Sequence, residues 1–138
     1  MILLDTDILT LFFSGHSRVV DRHRRAADEV AITSVTRIET LQGRFAAVLK
    51  AADGAGTLRA QEQLRHTEYE LRAFRVIPFD ARAAAEFDRL RQDKKLKKIG
   101  RADLLISCIA LAHRATLVTR NRRHFRPVPG LTLDDWTA

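Results

Sequence analysis

The chain has 138 residues, the length of a single domain that buries roughly two-thirds of its unfolded surface. With 46% hydrophobic and 30% charged residues, its composition excludes a disordered or fibrous chain. Lys and Arg number 24 against 17 Asp and Glu, a net charge of +7 that suits a partner rich in negative charge. The single cysteine, Cys108, excludes an internal disulfide and a multi-cysteine zinc site and fits a reducing cytosol. The opening Met1 to Leu4 is interrupted by Asp5 and Asp7 with no basic run before it, unlike a secretory signal. The longest apolar stretch, Leu104 to Ala112, is far shorter than the ~20 residues of a membrane helix. A soluble, cytoplasmic protein with no membrane contact is expected.

Met1 to Leu4 reads as a strand buried on both faces, delivering Asp5 at its carboxyl end. Ile8 to Phe13 suits a short buried helix that stops at Ser14-Gly15, and Val19 to Ala27 a second, basic helix. Val30 to Ile32 is a strand, with Thr33-Ser34 turning into a helix whose apolar positions run from Val35 to Leu49. Asp53 to Gly56 predicts a break before a further amphipathic helix, Thr57 to Phe74. Arg75 to Phe79 is a strand candidate with Pro78 at its end, and Asp80 can cap a helix from Ala81 to about Lys95. After Gly100, Arg101 to Arg114 is so apolar that the helix should be buried. Thr116 to Thr119 and Gly130 to Leu133 complete the strands. The alternation predicts one α/β domain over 1–138, with a mostly parallel central sheet of four to five short strands flanked by helices.

In such sheets ligands sit beyond the carboxyl ends of the strands, which selects Asp5, the helix bearing Glu39, and Thr119 to Asn121. Asp5 and Asp7 flank Thr6, and two carboxylates held this close need a cation or a proton to offset their repulsion. Taken alone, Asp7 suits a helix cap and Asp5 a site. Glu39 has the small residues Gly43 and Ala46 one turn on, which leaves space beside its carboxylate, but Thr36 to Glu39 equally has capping-box spacing. Asp103 opens an otherwise apolar helix, where a buried charge needs a partner, and an exposed acid would serve the helix dipole. Ser107, one turn later, can support Asp103 or bond back to its own helix. Asp5, Glu39 and Asp103 together offer oxygen ligands of the kind magnesium prefers, whereas no pair of histidines has zinc-like spacing.

Basic residues border the same region. Lys94, Lys95, Lys97, Lys98 and Arg101 precede Asp103, and Arg120, Arg122, Arg123, His124 and Arg126 follow the fourth strand. Acids with basic flanks are what a nuclease needs, because Arg and Lys position phosphates while a metal performs the chemistry. Lys97, Lys98, Arg101, Arg120, Arg122 and Arg123 are the candidate nucleic-acid contacts. Two rivals remain. A haloacid dehalogenase-like phosphatase also begins with a strand and Asp-x-Asp, but Ile8-Leu9-Thr10 replaces the Gly-Thr turn it requires. A non-catalytic nucleic-acid-binding module fits the charge but lacks an evident aromatic platform for bases.

The segments Leu3 to Leu9, Thr33 to Glu39, Gly100 to Ile106, and Leu117 to Asn121 with His124-Phe125 resemble, in this order, the PIN-domain ribonucleases and among them the VapC toxins of bacterial toxin–antitoxin pairs. The resemblance spans almost the whole chain and implies a PIN-like three-layer sandwich. It implies Asp5, Glu39 and Asp103 as metal-binding and catalytic acids around Mg²⁺ or Mn²⁺, with Thr6, Asp7, Ser107, Thr119 and Asn121 as polar support. Many relatives carry Asn where this chain has Asp7, and the family's fourth acidic position falls near Asn121 to His124, which are not acidic here. The implied activity is hydrolysis of RNA phosphodiester bonds that inhibits translation, and the implied partners are RNA, a VapB-like antitoxin that presents an Arg to the acids, and a second copy in a homodimer. Leu11, Phe12 and Phe13 are candidates for the antitoxin groove, with core burial the competing role.

Overall fold

Short apolar runs cannot satisfy their own backbone groups and must pair with one another. In the computed structural model, which describes residues 1–138, they do so as β1 (Ile2–Leu4), β2 (Val30–Thr33), β3 (Arg75–Ile77), β4 (Thr116–Val118) and β5 (Thr132–Asp134). These make one sheet in the order β3-β2-β1-β4-β5, parallel at every pairing, where a mostly parallel sheet was expected. Ile2 lies opposite both Val30 and Thr116, so β1 is the central strand. Seven helices complete the fold: α1 (Thr6–Phe13), α2 (Ser17–Arg25), α3 (Ser34–Lys50), α4 (Gly54–Leu71), α5 (Ala81–Leu90), α6 (Arg101–Ala112) and α7 (Arg122–Phe125). None of them is long and apolar enough to cross a membrane.

The alternation of a strand's side chains divides the interior into two cores. Leu3, Ala31 and Leu117 point to one face, where they join Leu90 of α5 and Ile106 and Ile109 of α6. Leu4, Ile32 and Val118 point to the other, against Ile8 and Leu9 of α1, Val19 of α2 and Leu71 of α4. Two helical layers therefore enclose the sheet, and strands covered on both sides read as unbroken apolar runs. Phe12 and Phe13 pack against Phe74, with ring centroids 5.5 and 6.0 Å away, at the margin of the second core.

Several helix boundaries differ from the sequence reading, each for a local reason. α1 starts at Thr6, not Ile8, because Asp5 occupies the cap position assigned to Asp7 and accepts the Thr6 backbone N–H at 2.8 Å. α2 starts at Ser17 behind His16 and ends at Arg25. Gly54 and Gly56 lie in the first turn of α4 and are no break, since Asp53 accepts the Gly56 N–H at 2.7 Å and fixes the helix start. That helix also ends three residues short of Phe74, at Leu71. α5 stops at Leu90, short of Lys95, and Asp93 caps a separate 3-10 turn, Lys94–Leu96, pinned by the buried Leu96. The arginine-rich stretch after β4 forms α7, anchored by the buried Phe125.

The chain leaves β1 toward β2 and β3 on one side, and β4 and β5 close the other. The connections reverse direction between β1 and β4, and at such a reversal the loops splay apart and open a crevice at the strand ends. Leu3 and Ile8 are both fully buried, on opposite sides of the sheet. Leu3→Ala and Ile8→Ala should each cost ~2–4 kcal/mol in urea unfolding. The double variant should come close to the sum, because the two cavities share no packing neighbours.

Candidate active site

Asp5 leaves the end of β1 into this crevice and is 8% exposed. Its Oδ1 accepts the Thr6 N–H at 2.8 Å. Its Oδ2 accepts the Thr119 hydroxyl, also at 2.8 Å, from the end of β4. That hydroxyl accepts the Asn121 N–H at 3.0 Å, so the two strand ends and the following loop form one hydrogen-bonded unit. Burial raises the Asp5 pKa to about 6, helped by the charge of Asp7 and, less, of Asp103, while the bonds from Thr119 and Thr6 oppose the rise.

Asp7 sits in the first turn of α1. Its Oδ2 accepts the Arg120 N–H at 3.2 Å, with the Arg120 Nε 4.0 Å away. Its Oδ1 is buried with no hydrogen-bond partner, and burial pushes its pKa upward as well. Buried, unpaired carboxylate oxygen is costly unless a cation or proton meets it.

Glu39 lies in α3, capped by Thr33, whose hydroxyl accepts the Thr36 N–H at 3.0 Å. Thr36 is therefore inside the helix and the Thr36 to Glu39 capping box does not form. Instead Glu39 Oε1 accepts the Thr6 hydroxyl at 2.8 Å, which ties it to the residue between Asp5 and Asp7. A Cβ on Gly43 would meet nothing within 4 Å, and beside Glu39 a cavity of about 250 Å³ opens between Thr6, Phe13, Gly43 and Arg44. Phe13 thus both packs on Phe74 and faces open space.

Asp103 is in the first turn of α6. Its Oδ2 lies 2.8 Å from His124 Nδ1 in α7, a close contact that lacks hydrogen-bond alignment. Ser107 donates to the Asp103 backbone carbonyl at 2.8 Å, so it serves its own helix and gives the carboxylate no support. His124 is the residue the sequence reading passed over as one more basic side chain. Its position directly after β4 placed it at the crevice, but nothing in its spacing signalled a pairing with an acid 21 positions away.

The cations divide into groups. Lys98 and Arg123, with Lys95, line a cavity of about 400 Å³ between the Lys94–Leu96 turn and α7. Arg120 stands beside Asp7, and the Arg101 guanidinium lies 5.1 Å over the Phe87 ring. Lys97 and Arg122 are exposed. Away from the crevice, burial raises the Cys108 thiol to about 11, which makes it a packing residue. His113 closes α6 with its Nε2 3.9 Å from Asp80.

As placed, no three His, Cys, Asp or Glu side chains converge on one point at metal-ligand distance. The crevice nevertheless gathers hard oxygen donors: the raised Asp5 carboxyl, the unpartnered Asp7 Oδ1, Glu39 held through Thr6, and Asp103 turned toward His124.

The PIN domain family matches residues 2–131, and the chain belongs to that family. It is similar to ribonuclease VapC2 of Rickettsia felis, 40% identical over 63 residues, which are 44% of this chain and 47% of that relative. It is 24% identical to the tRNA(fMet)-specific endonuclease VapC of Salmonella typhimurium over 97% of this chain and 96% of the relative. Among solved structures, VapBC2 from Rickettsia felis bound to a DNA fragment from its promoter matches with a TM-score of 0.78 and 29% identity, covering 99% of each chain.

An Asp whose pKa in the fold, about 6, exceeds its unfolded value opposes folding once ionised. The penalty is absent below the unfolded pKa and complete above the folded one. Asp5→Asn should therefore stabilise the metal-free protein by ~1–3 kcal/mol at pH 7.5 and give no gain at pH 3, read as Tm in EDTA.

Proposed function

We propose that the protein is a metal-dependent endoribonuclease, the VapC-like toxin of a toxin–antitoxin pair, which hydrolyses RNA phosphodiester bonds and so inhibits translation. The observation that carries this reading is the buried Asp5 carboxylate at the β1 and β4 ends, with Asp7 and Asp103 near enough to raise its pKa. Asp5, Glu39 and Asp103 are the residues that would hold Mg²⁺ or Mn²⁺, a hard cation matched to carboxylate oxygen. When bound, the ion would activate the attacking water and offset charge building on the phosphodiester. Thr119 and the Thr6 N–H hold Asp5 in one rotamer, and the Thr6 hydroxyl orients Glu39. Asp7, acidic where many relatives have Asn, adds negative charge at the same place, balanced on one side by Arg120. Asn121 and His124 stand where a fourth acid would, and so favour a single ion.

The RNA strand would follow Arg120, which stands beside Asp7, and Arg123 and Lys98, which line one cavity with His124. Partner chains are supported by a different feature: Ile38, Phe45, Leu49 and Leu58 expose their apolar side chains along α3 and α4, and exposed apolar surface of this kind suits a protein contact. An antitoxin and a second copy of the chain are the proposed occupants. An antitoxin Arg reaching Glu39 through the space beside Gly43 would make a charge-assisted contact in competition with the cation. The phosphatase reading falls with the family, and a purely binding role gives no account of a buried acid set beside two others.

Purified protein with Mg²⁺ or Mn²⁺ should cut total cellular RNA into discrete fragments, and EDTA should abolish the cutting. Asp5→Asn and Asp103→Asn should each lower the rate by ~100-fold or more, the scale of losing transition-state electrostatics. RNA left intact by wild type and bound equally by both variants would refute the catalytic reading.

A further inference from the structure

We infer that the cavity between the Lys94–Leu96 turn and α7 is a subsite for one nucleotide of single-stranded RNA, next to the acidic crevice; this rests on the nuclease reading above. Its volume of about 400 Å³ is that of a small-molecule pocket and matches a single nucleotide.

The lining is divided in the way a nucleotide is. Leu96, buried, and Ile99, half-buried, give an apolar floor of the kind that accepts the face of a base. Lys95, Lys98 and Arg123 are exposed at the rim. None of them forms an ion pair with any acid of the chain, so their charge is free for phosphate. Asn121 precedes α7 but its carboxamide does not cap the helix, which leaves a donor and an acceptor for a base edge. His124 links the cavity to the chemistry, since it forms part of the wall and lies 2.8 Å from Asp103 Oδ2. A strand with its phosphodiester at the acids would set the neighbouring nucleotide here. The smaller cavity beside Glu39 has no such division: Thr6, Thr10 and Thr40 surround one cation, Arg44, and its apolar side is Phe13. An acidic peptide would use the rim but would have no need of the floor or the carboxamide. The site therefore reads sequence as well as charge: Asn121 is a specificity residue, and Lys98 and Arg123 position the strand.

The test uses the full chain in EDTA, titrated by NMR with each of the four nucleoside 5′-monophosphates, with inorganic phosphate and with a short acidic peptide. At least one mononucleotide should shift the amides of Leu96, Ile99, Asn121 and His124 and bind about tenfold more tightly than phosphate. Lys98→Ala/Arg123→Ala should weaken that binding about tenfold and lower the salt dependence of oligoribonucleotide binding by roughly one counterion per cation removed. Asn121→Ala should level the preference among bases. With Mn²⁺ and a pool of short single-stranded oligoribonucleotides, both variants should change the distribution of cut sites. Mononucleotides that bind no better than phosphate, or less tightly than the acidic peptide, would overturn the inference. So would unchanged cut sites in both variants, and in that case the nuclease reading stands. Nucleotide binding at these amides with no metal-dependent cutting by wild type would sink the nuclease reading and leave the nucleotide site in place.

Discussion

The hydrogen bond from the Thr119 hydroxyl to Asp5 Oδ2 is the contact on which the rest of the crevice depends. It joins the ends of the central strand and its neighbour at the point where the sheet's connections reverse. It also places a carboxylate where burial alone would expel one. Without Thr119 the carboxylate would keep one backbone donor, from Thr6, and a buried acid with so little support escapes toward water or takes up a proton. The Asn121 N–H holds the same hydroxyl, so the loop leading to α7, and with it His124, is registered against Asp5.

Around this bond a basic chain concentrates its acids. Asp7 and Asp103 both repel the charge of the buried Asp5, while the surplus of Lys and Arg is spread over the rim and outer helices. Such an arrangement makes the isolated fold less stable than it could be and leaves it receptive to positive charge, from an ion or from an arginine on another chain. Ordinary packing offsets the cost: Leu3 and Leu4, next to each other in sequence, feed two separate cores, as do Leu117 and Val118 of β4, all four fully buried.

Much of this was legible in the amino-acid sequence because it depends on simple periodicity. Unbroken runs such as Ile2 to Leu4 and Leu117-Val118 announce strands covered on both faces, and in an α/β sheet their carboxyl ends point to the site. Asp5 and Thr119 follow from that logic, and Asp103 stands out as the one acid of an otherwise apolar helix. The remainder depended on competition between local choices that spacing does not rank. Asp5 and Asp7 both suit a helix cap, and the strand end, fixed by pairing to β4, decided for Asp5. Thr33 outcompeted Thr36 for the start of α3, and only then did Glu39 become free to meet Thr6. The glycines at 54 and 56 suggested a break until Asp53 fixed them into a helical turn. The contact between Asp103 and His124 joins two helices whose relative placement no periodicity encodes.

Asp5 and Thr119 are 114 residues apart, and β1 lies between strands contributed by the early and the late parts of the chain. Pairings this distant close late, after the intervening helices have formed. During synthesis, which delivers the amino-terminal part first, β1, β2 and β3 can pair while the Asp5 carboxylate still lacks its Thr119 donor. Asp103, Thr119 and the cationic wall arrive with the last third of the chain. A nascent copy that has exposed only β1 to β3 therefore carries an unfinished crevice, with Asp5 and Glu39 but neither Asp103 nor the Thr119 hydroxyl that holds Asp5.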